Sequence, residues 1–157
     1  MTTLGIISDT HGLLRPQALD ALRGSDVIVH AGDIGSPEIV PRLRELAPVI
    51  AVRGNVDAGQ PWAEEFPACA VVEVAGLSFY LLHDLGMLDL KLSAAGFAGV
   101  IFGHSHKPEF YFREDHGQQE LYFNPGSAGP RRFKLPISVG RITISEGQTQ
   151  PQLITLG

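Results

Sequence analysis

The sequence predicts an α/β fold in which two sheets pack face to face with helices outside. Three observations lead there. The first third of the chain alternates short apolar runs with amphipathic segments in the order βαβαβ. The rest reads mostly as strands. The length, 157 residues and 16.9 kDa with 44% hydrophobic residues, suffices for one sizeable core and not for two. A single domain over residues 1–157 is therefore expected.

Each element has its own justification. Leu4 to Ile7 is an apolar run readable as a buried strand. Leu14 to Arg23 predicts a helix: Leu14, Ala18 and Leu22 share one face, Pro16 sits early, and Gly24 ends it. Val27 to Val29 predicts a second strand. Ser36-Pro37-Glu38 marks a helix start, with Ile39, Leu43 and Leu46 on one face. Pro41 fits that helix badly and predicts either a kink or a later start. Val49 to Val52 predicts a third strand. Residues 55–68 carry Gly59, Pro61 and Pro67 with little periodicity and read as a loop. Val71 to Val74 and Leu77 to Leu82, separated by Ala75-Gly76, read as a hairpin. A short helix is expected around Met87 to Ala95, then a strand at Gly99 to Phe102. Four further strands are expected at Phe110 to Phe112, Leu121 to Phe123, Ile137 to Ile144 and Gln152 to Thr155.

Composition excludes several classes of function. There are 12 Lys and Arg against 17 Asp and Glu, a formal net charge of -5. That balance argues against a surface that coats nucleic acid, while leaving room for a small phosphorylated substrate. The single cysteine, Cys69, can form no internal disulfide and no thiolate cluster. The apolar stretch from Ala68 to Leu82 is broken by Glu73, Gly76 and Ser78, so no membrane span is expected. The N-terminus has no basic region and reaches Asp9 at once, so a soluble cytoplasmic protein is expected. Oligomeric state is left open, a homodimer being the general prior.

The polar residues fall in a pattern. Each of five apolar runs stops at a residue able to bind a metal. The first leads to Asp9, with His11 two later; the second to Asp33; the third to Asn55. Phe79 to Leu82 leads to His83, and Gly99 to Gly103 leads to His104, with His106 two later. Parallel strands put their C-terminal ends on one edge, where ligands bind. If these tips share an edge, two Asp, one Asn and four His converge. Seven ligands exceed one tetrahedral zinc site and suit two metals, with one carboxylate bridging. Imidazole and carboxylate without sulfur fit manganese, iron or zinc better than calcium or Cu(I). Two such metals, roughly 3.5–4 Å apart, can clamp both oxygens of an in-line displacement at phosphorus. Gly12, Gly32, Gly54 and Gly103 flank the ligands and are expected to permit tight turns.

The ordered set D-T-H at 9–11, G-D at 32–33, G-N at 54–55, His83 and G-H-S-H at 103–106 resembles the calcineurin-like metallophosphoesterase superfamily. HAGD at 30–33, NPGS at 124–127 and the short length make it similar to the small bacterial and archaeal phosphodiesterase branch. The resemblance covers nearly the whole chain. It implies an αββα sandwich and two divalent ions, manganese first, with iron, zinc, nickel or cobalt as alternatives. The first ion would take Asp9, His11, Asp33 and His106; the second Asp33, Asn55, His83 and His104, with Asp33 bridging. Asp33, Asn55 and His104 are the catalytic positions it implies, for attack of a metal-bridging hydroxide on a small phosphodiester. A protein-binding scaffold, as in the retromer subunit of this family, and a phosphomonoesterase with another acid are the competing readings.

Two departures matter. The family's G-N-H-[DE] block reads Gly54-Asn55-Val56-Asp57 here, and valine cannot protonate a leaving oxygen. Poor leaving groups should suffer most, so diesters or activated esters are expected to outrun monoesters. Asp57 is expected to orient Asn55 or its loop. His83 is followed by Asp84 where relatives often carry glycine, and Asp84 is expected to be a helix cap or a partner behind the ligands. Of the remaining histidines, His30 reads as structural and His116 as an exposed turn residue. Asn124 to Ser127 reads as a tight loop near the metals, with direct substrate contact as the alternative; Arg131 and Arg132 read as a solvated loop, with phosphate contact as the alternative. Trp62 and Phe66 either wall the substrate pocket or close the core.

Overall fold

The apolar runs are near-continuous, so successive side chains on both faces of the strands they form must be covered. A computed structural model describes residues 1–156 and shows how. The chain runs β1 (Thr2–Ile7), α1 (Pro16–Leu22), β2 (Val27–His30), α2 (Ile39–Arg44) and β3 (Val49–Ala51). It continues with β4 (Cys69–Val74), β5 (Leu77–Leu82), β6 (Gly99–Ile101), β7 (Glu109–Asp115), β8 (Gln118–Asn124), β9 (Ser138–Ser145) and β10 (Gln148–Thr155). One five-stranded sheet has the order β10-β9-β1-β2-β3, the other β4-β5-β6-β8-β7. β1, β2 and β3 are parallel, as are β5, β6 and β8. Each sheet therefore sends three strand ends the same way.

Alternation builds the layers. Leu4, Ile6 and Val29 face inward and meet Phe79, Leu81, Ile101 and Phe123 of the opposing sheet. Ile7 and Ile28 face outward, under Ala18 and Leu22 of α1 and Ile39, Val40 and Leu43 of α2. Pro41 lies in the first turn of α2, where its missing N–H would have no intrahelical partner. The helix thus starts late at Ile39 and tolerates the proline. Trp62 and Phe66 pack into the same outer layer, so they close the core.

The expected helix at 87–95 is not there. Leu85–Met87 forms one 3-10 turn and the chain then proceeds through bends and turns. Leu85, Leu88, Leu90, Leu92 and Phe97 cover the outer face of Val100 and Phe102. Their spacing of three, two, two and five matches no helical stripe. Asp84 caps the 3-10 turn by accepting from the Gly86 N–H at 2.9 Å. No helix among the described residues is long and apolar enough to cross a membrane.

Phe79 is fully buried between the sheets, whereas Val71 on the neighbouring strand is half exposed. Phe79→Ala is expected to cost about 3–5 kcal/mol in urea denaturation, and Val71→Ala less than about 1 kcal/mol. Equal losses would show that the intersheet layer is not the main core.

Candidate metal centre

β1, β2 and β3 end side by side, and their loops stay paired beyond the sheet. The Asp9 N–H donates to the Gly32 carbonyl and the His11 N–H to the Asp33 carbonyl, each at 2.9 Å. On the opposing sheet the Gly103 N–H donates to the His83 carbonyl at 2.9 Å. The sheets meet where the His104 N–H donates to Asp9 Oδ2 at 3.2 Å. Asp9, His11, Asp33, His104 and His106 all adopt positive φ, between 47° and 73°. Left-handed backbone at a non-glycine residue costs on the order of 1–3 kcal/mol, and it clusters at functional sites. Each of these loops turns its side chain back over the sheet edge.

Gly54 and Gly103 do not serve as expected. Neither has positive φ. A Cβ at Gly54 would strike the Asp33 backbone and carboxylate, and one at Gly103 would strike Ser8 and the Asp9 carboxylate. They allow close approach of backbone to the acids.

The structure brings five of the seven sequence-predicted ligands into one cluster. Asp9 Oδ1 lies 3.4 Å from His106 Nε2, 3.7 Å from His11 Nε2 and 3.8 Å from His83 Nε2. Asp33 Oδ2 lies 3.1 Å from His83 Nε2 and 3.7 Å from His11 Nε2. Two candidate ligand groups result, Asp9–His11–His106 and Asp9–Asp33–His83, with ligand atoms within 4.8 Å of one another in each. The amide tip of Asn55 joins them, 3.1 Å from His83 Nε2 and 3.2 and 3.3 Å from the Asp33 oxygens. With nitrogen inward these are hydrogen bonds; with oxygen inward they repel unless a cation lies between. His104 stands apart. Its half-exposed ring stacks edge-on to His83 at 5.2 Å, and its Nε2 faces Asp84 Oδ2 at 4.0 Å.

The cluster fits a divalent cation. Asp9 Oδ1 is buried without any hydrogen bond although three imidazole nitrogens surround it. Such an orphaned acceptor is costly unless a cation completes it. Burial alone would raise the Asp9 pKa, but His106 and His11 hold its carboxyl well below the usual carboxylate range. Burial likewise opposes ionisation of Asp33, and His83 with the Val56 N–H lowers its pKa nonetheless. Burial would lower the His83 pKa, but Asp33 and Asp9 raise it. The His83 Nδ1–H donates to the Ala31 carbonyl at 2.8 Å, which leaves Nε2 turned to the carboxylates.

A second ring of residues holds these groups. Ser8 Oγ donates to Asp9 Oδ2 at 2.7 Å, and Ser127 Oγ to the Asp9 carbonyl at 2.9 Å. Asn124 is fully buried and donates to the Gly103 carbonyl and Ser105 Oγ, so the 124–127 loop supports the site from behind. Asp57 is buried and accepts from the N–H groups of Ile34, Gly35 and Gly54, each at 2.9 Å. It staples the loop after β2 to the loop after β3, which orients Asn55. His30 is buried, accepts from the Gly32 N–H and contacts Thr10 Oγ1, both at 3.0 Å; its role is structural. His116 is an exposed turn residue. The sequence reading missed a cleft of about 490 Å³ that shares Asn55 and His83 with the cluster, takes in His104 and continues along Cys69, Tyr80 and Leu82. Alternation along β5 puts Tyr80 and Leu82 on one face, but only the folded loops show that this face opens beside the ligands.

Comparison with known proteins decides the family. Residues 2–147 match the calcineurin-like phosphoesterase superfamily domain. The chain belongs to that superfamily. It is 34% identical to a probable metallophosphoesterase of Methanothermobacter thermautotrophicus, over 98% of this chain and 92% of that one. It is 27% identical to a phosphodiesterase of Methanocaldococcus jannaschii, over 78% of this chain and 82% of that one. Vacuolar protein sorting 29 of Cryptosporidium parvum superposes with a TM-score of 0.72 at 20% identity, covering 97% of this chain and 96% of that one. That likeness speaks to fold alone. A family of metallophosphoesterases implies divalent metals, and the candidate ligand groups suit them.

Two predictions follow from the residues behind the ligands. Asp57→Ala strands three N–H groups, and is expected to weaken manganese binding roughly 10–100-fold in titration calorimetry with an unchanged far-ultraviolet spectrum. Unchanged affinity would refute its positioning role. Burial lowers the His30 pKa from 6.5 to about 4. The unfolded chain therefore takes up this proton first as pH falls, and the stability is full above pH 6.5 and lost below it. Metal-stripped protein should lose about 2 kcal/mol more between pH 7 and pH 5 than its His30→Asn variant. Parallel pH profiles of the two would show that His30 is not buried neutral.

Proposed function

We propose that this chain is a phosphodiesterase working with two divalent cations, manganese first, on small or activated phosphoesters in the cytoplasm. The observation that carries it is the pair of ligand groups where the strand ends of the two sheets meet, with Asp33 Oδ2 turned to both His11 and His83. Asp9, His11, Asp33 and His106 would hold one cation and Asp33, Asn55, His83 and His104 the other. The His104 ring, now facing Asp84, would have to turn inward to join them. Such cations supply a hydroxide nucleophile at neutral pH and positive charge for phosphoryl oxygens. The protein residues do the rest. Ser8 and the His104 N–H fix the Asp9 carboxylate, the Val56 N–H fixes Asp33, and Asp57 fixes the loop that presents Asn55.

Val56 contributes that N–H but no titratable group, and its side chain is half exposed at the cluster. No proton donor stands there for a poor leaving group, which supports diesters and activated esters as substrates.

Purified protein is expected to bind two manganese ions and to hydrolyse bis(4-nitrophenyl) phosphate faster than 4-nitrophenyl phosphate. Chelation should abolish turnover, and Asp33→Asn or His104→Ala should lower it at least ~100-fold. Absence of turnover with every divalent metal tried would overturn the reading. Val56→His is expected to raise monoester turnover about tenfold or more. An unchanged rate would show that the missing acid does not limit it.

A further inference from the structure

The cleft beside the cluster has two unlike surfaces. Cys69, Tyr80, Leu82 and Met87 give it an apolar floor, and Met87 is largely exposed there with nothing covering it. The Tyr80 phenol, beside the Cys69 side chain, is pushed up to about 12 and stays un-ionised. Asp84 and Asp89 belong to the same lining. Arg53 lies there too, with one guanidinium N–H donated to the Phe66 carbonyl, and its single positive charge leaves the two carboxylates in excess. The cleft is of small-molecule size, since such pockets run roughly 300–1,000 Å³.

A phosphoryl group held on cations at Asp9, Asp33 and the histidines would leave one substituent to enter this cleft, because His83 and Asn55 border both. That substituent would meet the apolar residues and two carboxylates. Carboxylates repel an anionic arm, and desolvating one against Leu82 and Met87 costs still more. An uncharged arm instead gains by burial.

We infer that the cleft selects phosphoesters whose one arm is an uncharged, partly apolar group of aryl or nucleoside size, and rejects anionic arms such as a further phosphate or carboxylate. This rests on the phosphodiesterase reading above. It extends that reading from a type of bond to a class of substrate.

Single-armed phosphonates test it, because the phosphonate occupies the metal site and only one substituent remains to be placed. Inhibition is measured on manganese-loaded enzyme hydrolysing methyl 4-nitrophenyl phosphate. Benzylphosphonate is expected to inhibit about tenfold more tightly than methylphosphonate, as burial of an aryl group allows. 4-Phosphonobutyrate is expected to inhibit several-fold more weakly than propylphosphonate. Cys69→Phe fills the floor and should erase the benzyl advantage while methylphosphonate inhibits as before. Asp89→Lys should remove the penalty on 4-phosphonobutyrate.

Cys69 also gives a readout independent of turnover. It is the chain's one cysteine and is exposed in the cleft. Benzylphosphonate should slow its alkylation by iodoacetamide, and methylphosphonate should not. Equal inhibition by all four phosphonates, or equal effects of Cys69→Phe on each, would overturn the inference. Failure to hydrolyse methyl 4-nitrophenyl phosphate would instead overturn the phosphodiesterase reading, and the alkylation assay would still report whether the cleft takes an uncharged arm.

Discussion

Two carboxylates, Asp9 and Asp33, sit buried at the ends of adjacent parallel strands, and much of the molecule answers to that fact. Like charges at close range in a poorly polarisable interior destabilise each other unless opposite charge is brought to them. The first sheet brings only His11. The second sheet supplies His83 and His106, whose nitrogens come within 3.1 to 3.8 Å of the acids. Apolar contacts hold the two sheets together over most of their area, but such contacts are non-directional and set no register. The acid–imidazole contacts act at one edge only and are directional. They fix how the sheets are aligned where function needs precision.

The cost of this arrangement is visible in the backbone. Five of the seven proposed ligand residues have positive φ, and the two flanking glycines Gly54 and Gly103 leave no space for a side chain. Strain of that kind persists only when neighbours over-determine it. Here the neighbours are hydrogen bonds: Asp57 to three backbone N–H groups, Ser127 to the Asp9 carbonyl, and Asn124 to the G-H-S-H loop. His30 belongs with them. Neutral and buried, it fills the space behind Thr10 and Gly32 without adding charge to an acid-rich site. Rigidity behind the ligands and acidity at their tips are thus built by different residue types.

Much of this was legible from the chain. Strand ends could be placed because short apolar runs stop abruptly at polar residues, and ligand positions follow once the ends share an edge. The helix expected at 87–95 failed for a physical reason: Leu88, Leu90 and Leu92 serve one apolar patch through irregular backbone, and a leucine-rich segment looks helical without that knowledge. The reach of Asp57 was half legible. Its role in the 54–57 loop is local, but its bonds to Ile34 and Gly35 cross 23 and 22 residues and exist only in the folded chain. Gly12 and Gly32 take the positive φ that tight turns require, whereas Gly54 and Gly103 serve steric approach between distant segments, which leaves no mark in local sequence. The cleft left none either.

Val56 separates the structural role of its position from the chemical one. Its backbone N–H donates to Asp33 Oδ1 at 3.0 Å, and any residue except proline would provide that bond. Its side chain is half exposed. A half-exposed side chain contributes little to the core, so an exchange at residue 56 leaves the backbone bond to Asp33 in place. Under the phosphodiesterase proposal, what the exchange alters is the supply of a proton to the departing oxygen. A chain with valine at this point keeps the proposed ligand set and would depend on the leaving group's own acidity. The same architecture could then serve different esters according to one solvent-facing side chain.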